Sequence, residues 1–103
     1  MTRYAKKIAP NDNVATAVAD CAAGDAITVK FQGVENTYSC RQDIPFGHKI
    51  AVSKIRKGEP VIKYGEPIGT AYMEIGAGDW VHTHNLRDDY LCLDKEGNPL
   101  PGQ

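Results

Sequence analysis

The chain has 103 residues, with 12 Lys and Arg against 13 Asp and Glu and a formal net charge of −1. That length allows one domain with a modest core and leaves little room for a deep enclosed active site, which favours a module or subunit over a complete enzyme. The charge is balanced, with no basic stripe and no aromatics interleaved with Lys or Arg, so no nucleic acid partner is expected.

The opening stretch MTRYAKKIAPND carries positive charge with no apolar run behind it, which is not the pattern of a signal peptide. No segment reaches the roughly 18 apolar residues of a membrane span, so no membrane partner is expected. Cys21, Cys40 and Cys92 are far apart, odd in number and without C-x-x-C or zinc-ribbon spacing. These features predict a cytoplasmic chain with reduced, buried thiols.

The next stretch, NDNVATAVADCAAG, reads two ways. Val14, Ala17, Val18 and Cys21 stand at helical spacing with Asp12 as a cap and Gly24 as a stop, while Val14, Thr16 and Val18 alternate as in a strand. Beyond it, short runs rich in β-branched or aromatic residues are punctuated by Gly24, Gly33, Gly47, Gly58, Gly65, Gly76 and Gly78. They are AITVKFQ, HKIAVSKI, PVIKY, PIGTAYMEI and DWVHTH, and they predict a mainly β chain of short strands joined by tight turns. In the first, Ile27, Val29 and Phe31 fall on one face and Thr28 and Lys30 on the other. The basic run at Arg56–Gly58 reads as a solvated turn.

One pattern recurs. DCAAGDAI (20–27), KIRKGEPV (54–61) and EIGAGDWV (74–81) each run from a charged residue through Cys or Ile, two variable positions, Gly, an acid and one variable position to Ile or Val. This is a tight turn that launches a strand: the first apolar residue anchors it, Gly supplies the turn conformation, and the last apolar residue opens an inward face. The unequal separations exclude a solenoid. By analogy among the copies, a strand is favoured over 13–19. At the other end, LRDDYLCLD reads as a last strand or docking segment, and DKEGNPLPGQ as an irregular tail.

The histidines are His48, in IPFGHKI, and His82 and His84, in GDWVHTHN. On a strand, side chains two apart share a face, about 6.5–7 Å between Cα atoms. Two such imidazoles suit Fe, Zn, Ni or Cu, with a third ligand from His48, Glu66 or a partner. The alternative is a pair of polar residues on a solvent or interface strand. Trp80 reads as core or interface packing.

IPFGHKIAVSKIRKGEPVIKYGEPIG followed by GDWVHTHNL resembles the SAF domain, of β-clip fold, of the altronate and galactarate dehydratase family. The resemblance runs from about Asn11 to Leu86. It implies a single SAF-like domain over 1–103, with a core at about 11–86 and an irregular tail from about 94. It also implies the small subunit or N-terminal module of a sugar-acid dehydratase, a hydro-lyase giving a 2-keto-3-deoxy acid. A large dehydratase subunit is then the expected partner and the sugar acid the substrate, with homo-oligomers a further expectation and the isolated chain expected to be inactive. The paired histidines and following Asn resemble the altronate and sulfolactate branches more than the galactarate branch. Alternatives are the small subunit of a sulfolactate sulfo-lyase and a non-catalytic β-clip assembly module.

The resemblance also directs the site. His82 and His84 are expected as ligands of a divalent metal, with Fe(II) the candidate, because the family's dehydration is metal-assisted. His48, Lys49, Lys63 and Asn85 are expected to bind substrate, the lysines as point charges for a carboxylate. Against this, His48, Lys49 and Lys63 also read as solvated turn residues.

Overall fold

Strands account for all the regular structure in this computed structural model, which describes residues 3–87; no helix occurs among them. They are β1 (Arg3–Lys6), β2 (Val14–Ala17), β3 (Ala26–Phe31), β4 (Val34–Ser39), β5 (Lys49–Ala51), β6 (Pro60–Lys63), β7 (Glu66–Ala71), β8 (Trp80–Val81) and β9 (Leu86–Arg87). A six-stranded sheet has the order β4-β3-β1-β2-β5-β8 and a three-stranded sheet the order β6-β7-β9. Within them β1 and β3 run parallel and the other pairs antiparallel. The expected mainly β domain of short strands is what the chain forms.

The ambiguous stretch after Asn11 is a strand. Ala15 and Ala17 of β2 are buried in mid-sheet, between β1 and β5. Asp12 does not cap a helix. Its Oδ2 accepts the N–H groups of Ile8 (3.1 Å) and Ala9 (2.9 Å), and its Oδ1 that of Gly65 (2.7 Å). Burial pushes the Asp12 carboxyl up, but the backbone bonds from Gly65, Ala9, Ile8 and Tyr64 outweigh it and hold the group below the ordinary carboxylate value. Next to it, Asn13 joins the two sheets: Nδ2 donates to Pro60 O (3.0 Å), and Oδ1 accepts from Ile62 N (2.7 Å).

Strand β1 lies before Asn11 and between β2 and β3, with Ala5 fully buried. A four-residue strand whose inward residue is an alanine gives too weak an alternation to read. In β3, Ile27 and Val29 are buried as expected, while Phe31 is only half-buried at the sheet's end, with Lys7 Nζ 5.0 Å over its ring.

The recurring turn is the device on which the fold is built. Gly24, Gly58 and Gly78 all have φ near +90°. In each copy the acid folds back, so that Asp25 accepts from Ala22 N (2.8 Å), Glu59 from Arg56 N (2.7 Å) and Asp79 from Gly76 N (2.6 Å). The acid does what an Asx or capping carboxylate does elsewhere, satisfying a donor that the turn leaves open. At Gly78 the requirement is doubled, because an added Cβ would also fall on the Ser39 carbonyl oxygen.

A fourth copy, not singled out in the sequence, is DIPFGHKI (43–50). It makes the same backbone bonds. Gly24 N reaches Cys40 O (2.7 Å), Gly47 N reaches Ala17 O (2.8 Å), Gly58 N reaches Ala71 O (2.7 Å) and Gly78 N reaches Ala51 O (2.8 Å). In return, the N–H of Cys40, Ala17, Ala71 and Ala51 donates to the carbonyl of the residue after each glycine. Every acceptor residue is small and buried, which lets the turn lie against it.

The four turns pair off. Cys21 bridges Ile44, and Ile55 bridges Ile75. The first pair anchors a cluster containing Ala17, Cys21, Ile27, Cys40, Ile44 and Ile50. The second anchors one containing Ala51, Ile55, Val61, Ala71, Ile75 and Val81. Each buried Ile or Val contributes on the order of 1.5–3 kcal/mol, so the repeated apolar positions are the core itself. The solvent-side residues cross-brace the same pairs: Asp43 accepts from Ala23 N (2.9 Å) and Asp20 from Phe46 N (2.8 Å), while Lys54 meets Glu74 at 3.0 Å.

Candidate functional site

The fourth turn differs from the other three at one position. Where they carry Asp25, Glu59 and Asp79, it carries His48. The donor that the acid satisfies lies three residues earlier, and in this copy that residue is Pro45, which has no N–H. His48 is therefore released from the turn. The backbone is otherwise unchanged, with Gly47 at φ 84° and His48 N donating to Pro45 O at 3.0 Å.

Register then delivers His48 to the other histidines. Strands β5 and β8 pair antiparallel with Lys49 opposite Val81 and Ile50 opposite Trp80. One step further along sets His48 opposite His82, and their ring centroids lie 4.9 Å apart. Opposed residues and residues two apart share a sheet face, which brings His48, Trp80 and His82 together. Trp80 and His82 stack at 5.3 Å with 6° between planes, and His48 lies 5.8 Å from Trp80. Trp80 Nε1 donates to His48 Nδ1 at 3.2 Å.

His84 reaches the cluster by a different route. The predicted strand through DWVHTH stops at Val81, and the chain turns over residues 82–85. Asn85 makes that turn. Its Oδ1 accepts from His82 N (3.0 Å), its Nδ2 donates to Trp80 O (2.8 Å), and its own N–H and that of Leu86 both reach His82 O. Tyr72 braces the outside through its hydroxyl, which donates to Thr83 O. The result sets the exposed His84 ring 4.9 Å from Trp80, so both histidines of the pair pack on the same indole.

The cluster is polar and half-exposed. Partial burial, then the neighbouring His48, Lys49 and His84, push the His82 pKa below its ordinary value. His82 therefore keeps a lone pair at neutral pH.

The remaining expected site residues fall as follows. Lys49 stands in β5 beside His48 and adds its charge to the field at His82. Asn85 is buried, with both ends of its amide engaged by the chain itself, so it shapes the turn from within. Lys63 ends β6 in the other sheet, apart from the histidines, with Nζ 4.8 Å over the Tyr64 ring at the hairpin.

Trp80 packs partly buried against the first core cluster, as expected, and its ring is also the one that His48, His82 and His84 all meet. Its signal was available in the sequence: it precedes the histidine pair by two residues, the spacing that stacks side chains on one strand face. As for a metal, neutral imidazoles are suitable donors, but among the described residues no three His, Cys, Asp or Glu side chains converge on one ion. His82 and His84 thus offer at most part of a coordination sphere.

The family model described as the altronate/galactarate dehydratase SAF domain matches residues 4–89. The chain belongs to that SAF-domain family. This SAF domain is 48% identical over 89 residues to an altronate dehydratase of Escherichia coli (strain K12), covering 86% of the chain and 17% of that protein. It is 36% identical over 81 residues to an altronate dehydratase of Bacillus subtilis (strain 168), covering 79% of the chain and 16% of that protein. With the (2R)-sulfolactate sulfo-lyase subunit alpha of Paracoccus pantotrophus it shares 43% identity over 49 residues, 48% of the chain and 73% of that subunit. The SAF domain thus spans about a sixth of the altronate dehydratases it matches, and its relatives are parts of larger dehydratases or subunits of a lyase. Among its described residues no helix is long and apolar enough to cross a membrane.

Proposed function

We propose that this chain is the SAF module of a sugar-acid dehydratase of the altronate type. In this reading it brings the His48–Trp80–His82–His84 cluster to a reaction chamber completed by a large dehydratase portion, carried on the same polypeptide or on a partner subunit. The observation that supports it most is the gathering of all three histidines of the chain around its only tryptophan, on a polar, half-exposed edge. An assembly module has no use for such a cluster.

Dehydration of a 2,3-dihydroxy acid removes the proton beside a carboxylate, develops enediolate charge and expels a hydroxide. The chain's own residues fit supporting parts of that task. Lys49 adds positive potential for a substrate carboxylate, His48 presents a ring nitrogen at the chamber, and His82 and His84 supply imidazole nitrogens. We assign His82 and His84 as two ligands of a divalent metal, Fe(II) being the candidate, whose other ligands come from the large portion. Bound there, the metal would stabilise charge on the substrate oxygens. Lys63 is assigned to a second, peripheral contact with substrate or partner.

The test uses the complete dehydratase, this chain together with its large portion. The double variant His82→Ala/His84→Ala is expected to lower altronate turnover by about 100-fold or more and to lower the metal content of the purified assembly. Undiminished turnover with full metal content would remove the site. A second reading, a sulfolactate sulfo-lyase subunit, is favoured by the match to 73% of a separate subunit alpha. Sulfite release from sulfolactate without altronate turnover would select it.

A further inference from the structure

An indole nitrogen only donates a hydrogen bond. The 3.2 Å contact from Trp80 Nε1 to His48 Nδ1 therefore needs a lone pair on Nδ1, and a neutral imidazole with a bare Nδ1 carries its proton on Nε2. We propose that Trp80 is a positioning residue that holds His48 as the Nε2–H tautomer. The open nitrogen of His48 is then a donor for an oxygen of an anionic 2-hydroxy acid, either the carboxylate or the adjacent hydroxyl, and is neither a base nor a metal ligand. The substrate class rests on the function proposed above; the tautomer does not.

The indole is fixed well enough for this task. Trp80 N donates to Gln42 Oε1 (2.8 Å) and Trp80 O accepts from Asn85 Nδ2 (2.8 Å), so the backbone on both sides of the ring is held by side chains. The His82 ring stacks on the indole and contacts His48, which limits rotation of both. The bond is possible because His48 is excused from the turn: Pro45 offers no N–H of the kind that draws the acid of the other copies back to the backbone. Roles in the cluster are thereby divided: His48 gives a proton to a hydrogen bond, and His82 keeps a lone pair.

Nitrogen-15 NMR of the imidazoles in the full chain reads the tautomer directly. The expected result is a protonated Nε2 and a hydrogen-bonded, unprotonated Nδ1 on His48, with the Nδ1 resonance moving in Trp80→Phe, which keeps an aromatic ring and loses the donor. A protonated Nδ1, or an Nδ1 resonance unchanged in Trp80→Phe, would overturn the positioning role.

The ligand side is read as a cycle in the complete dehydratase with altronate. Trp80→Phe is expected to raise KM about tenfold with kcat little changed. His48→Gln, whose amide nitrogen donates without needing a tautomer, should keep KM within about threefold, and in that background Trp80→Phe should add less than about twofold. Equal, additive effects of Trp80→Phe in both backgrounds would show that the indole only packs and would overturn the donor assignment. If altronate is not turned over at all, the proposed function and the donor assignment fall together, while the NMR result still decides the tautomer.

Discussion

Pro45 and His48 stand three residues apart in one turn, and the missing N–H of the first frees the side chain of the second. In the sister turns the same spacing joins Ala22 to Asp25, Arg56 to Glu59 and Gly76 to Asp79 by a hydrogen bond of 2.6–2.8 Å. This coupling predicts a double-mutant cycle. His48→Asp alone should destabilise by about 0.5–1.5 kcal/mol, since the bond from Trp80 Nε1 is lost and the new carboxylate has no turn donor to meet. In a Pro45→Ala background the same change should cost less by about 0.5–1.5 kcal/mol, because the N–H introduced at position 45 then meets the carboxylate. Urea denaturation of the four proteins measures it, and equal effects in both backgrounds would contradict it.

Asn85 is expected to be the most costly single residue of the cluster to lose. Asn85→Ala strands the His82 N–H and the Trp80 carbonyl, both bonded to the buried amide. A loss of about 2 kcal/mol follows from two such bonds. His84 lies on the turn that Asn85 closes, so its imidazole NMR signals should move with those of His82. A stable variant with unmoved signals would show that the turn holds by itself.

The histidine cluster makes the fold sensitive to mild acid. The His82 pKa lies below its ordinary 6.5 in the folded chain, through burial first and then His48, Lys49 and His84. The unfolded chain therefore takes up this proton more readily than the folded one. The stability linked to it is complete above about pH 6.5 and is lost as pH falls through that value toward the folded pKa. Denaturation midpoints should be level from pH 8 to 7 and drop below 6.5, and His82→Gln should flatten that part of the curve.

The thiols of Cys21 and Cys40 should be inert while the chain is folded. Burial first, then the neighbouring Cys21, pushes the Cys40 thiol up to about 11. Burial also raises Cys21, against a smaller opposing hydrogen bond from Cys40. In a Cys92→Ser variant, labelling by iodoacetamide at pH 8 should be negligible in buffer and complete in denaturant. Rapid labelling without denaturant would mean that the cluster beneath the first pair of turns opens easily.

Much of the architecture was legible because it rests on short-range chemistry. The copies at Asp20, Lys54 and Glu74 announced themselves through Gly and the following acid, and their apolar ends form the core. The copy at Asp43 escaped because its acid is a histidine, although its Ile44, Gly47 and Ile50 fit the pattern. Strand β1 was hidden because Ala5 is its only fully buried residue. At the site, His48, His82 and His84 were legible as candidates. Their meeting was not, because it depends on the pairing of Ile50 with Trp80 across 30 positions of chain, which local periodicity does not encode. The turn that Asn85 closes with both ends of its amide was likewise not encoded in the local pattern. The tail from Asp88 onward, with Tyr90, Leu91 and Cys92, lies outside the described residues.

The chain's lone tryptophan lies against two imidazoles and donates a hydrogen bond to a third. Charged imidazolium quenches indole emission, so the molecule carries its own optical gauge at the place of interest. Intensity and wavelength should respond to an arriving anion, to a docking protein and to proton uptake without any attached dye. Seating of the two-residue strand β8, which closes the sheet late in the chain, should be visible through the same signal during refolding.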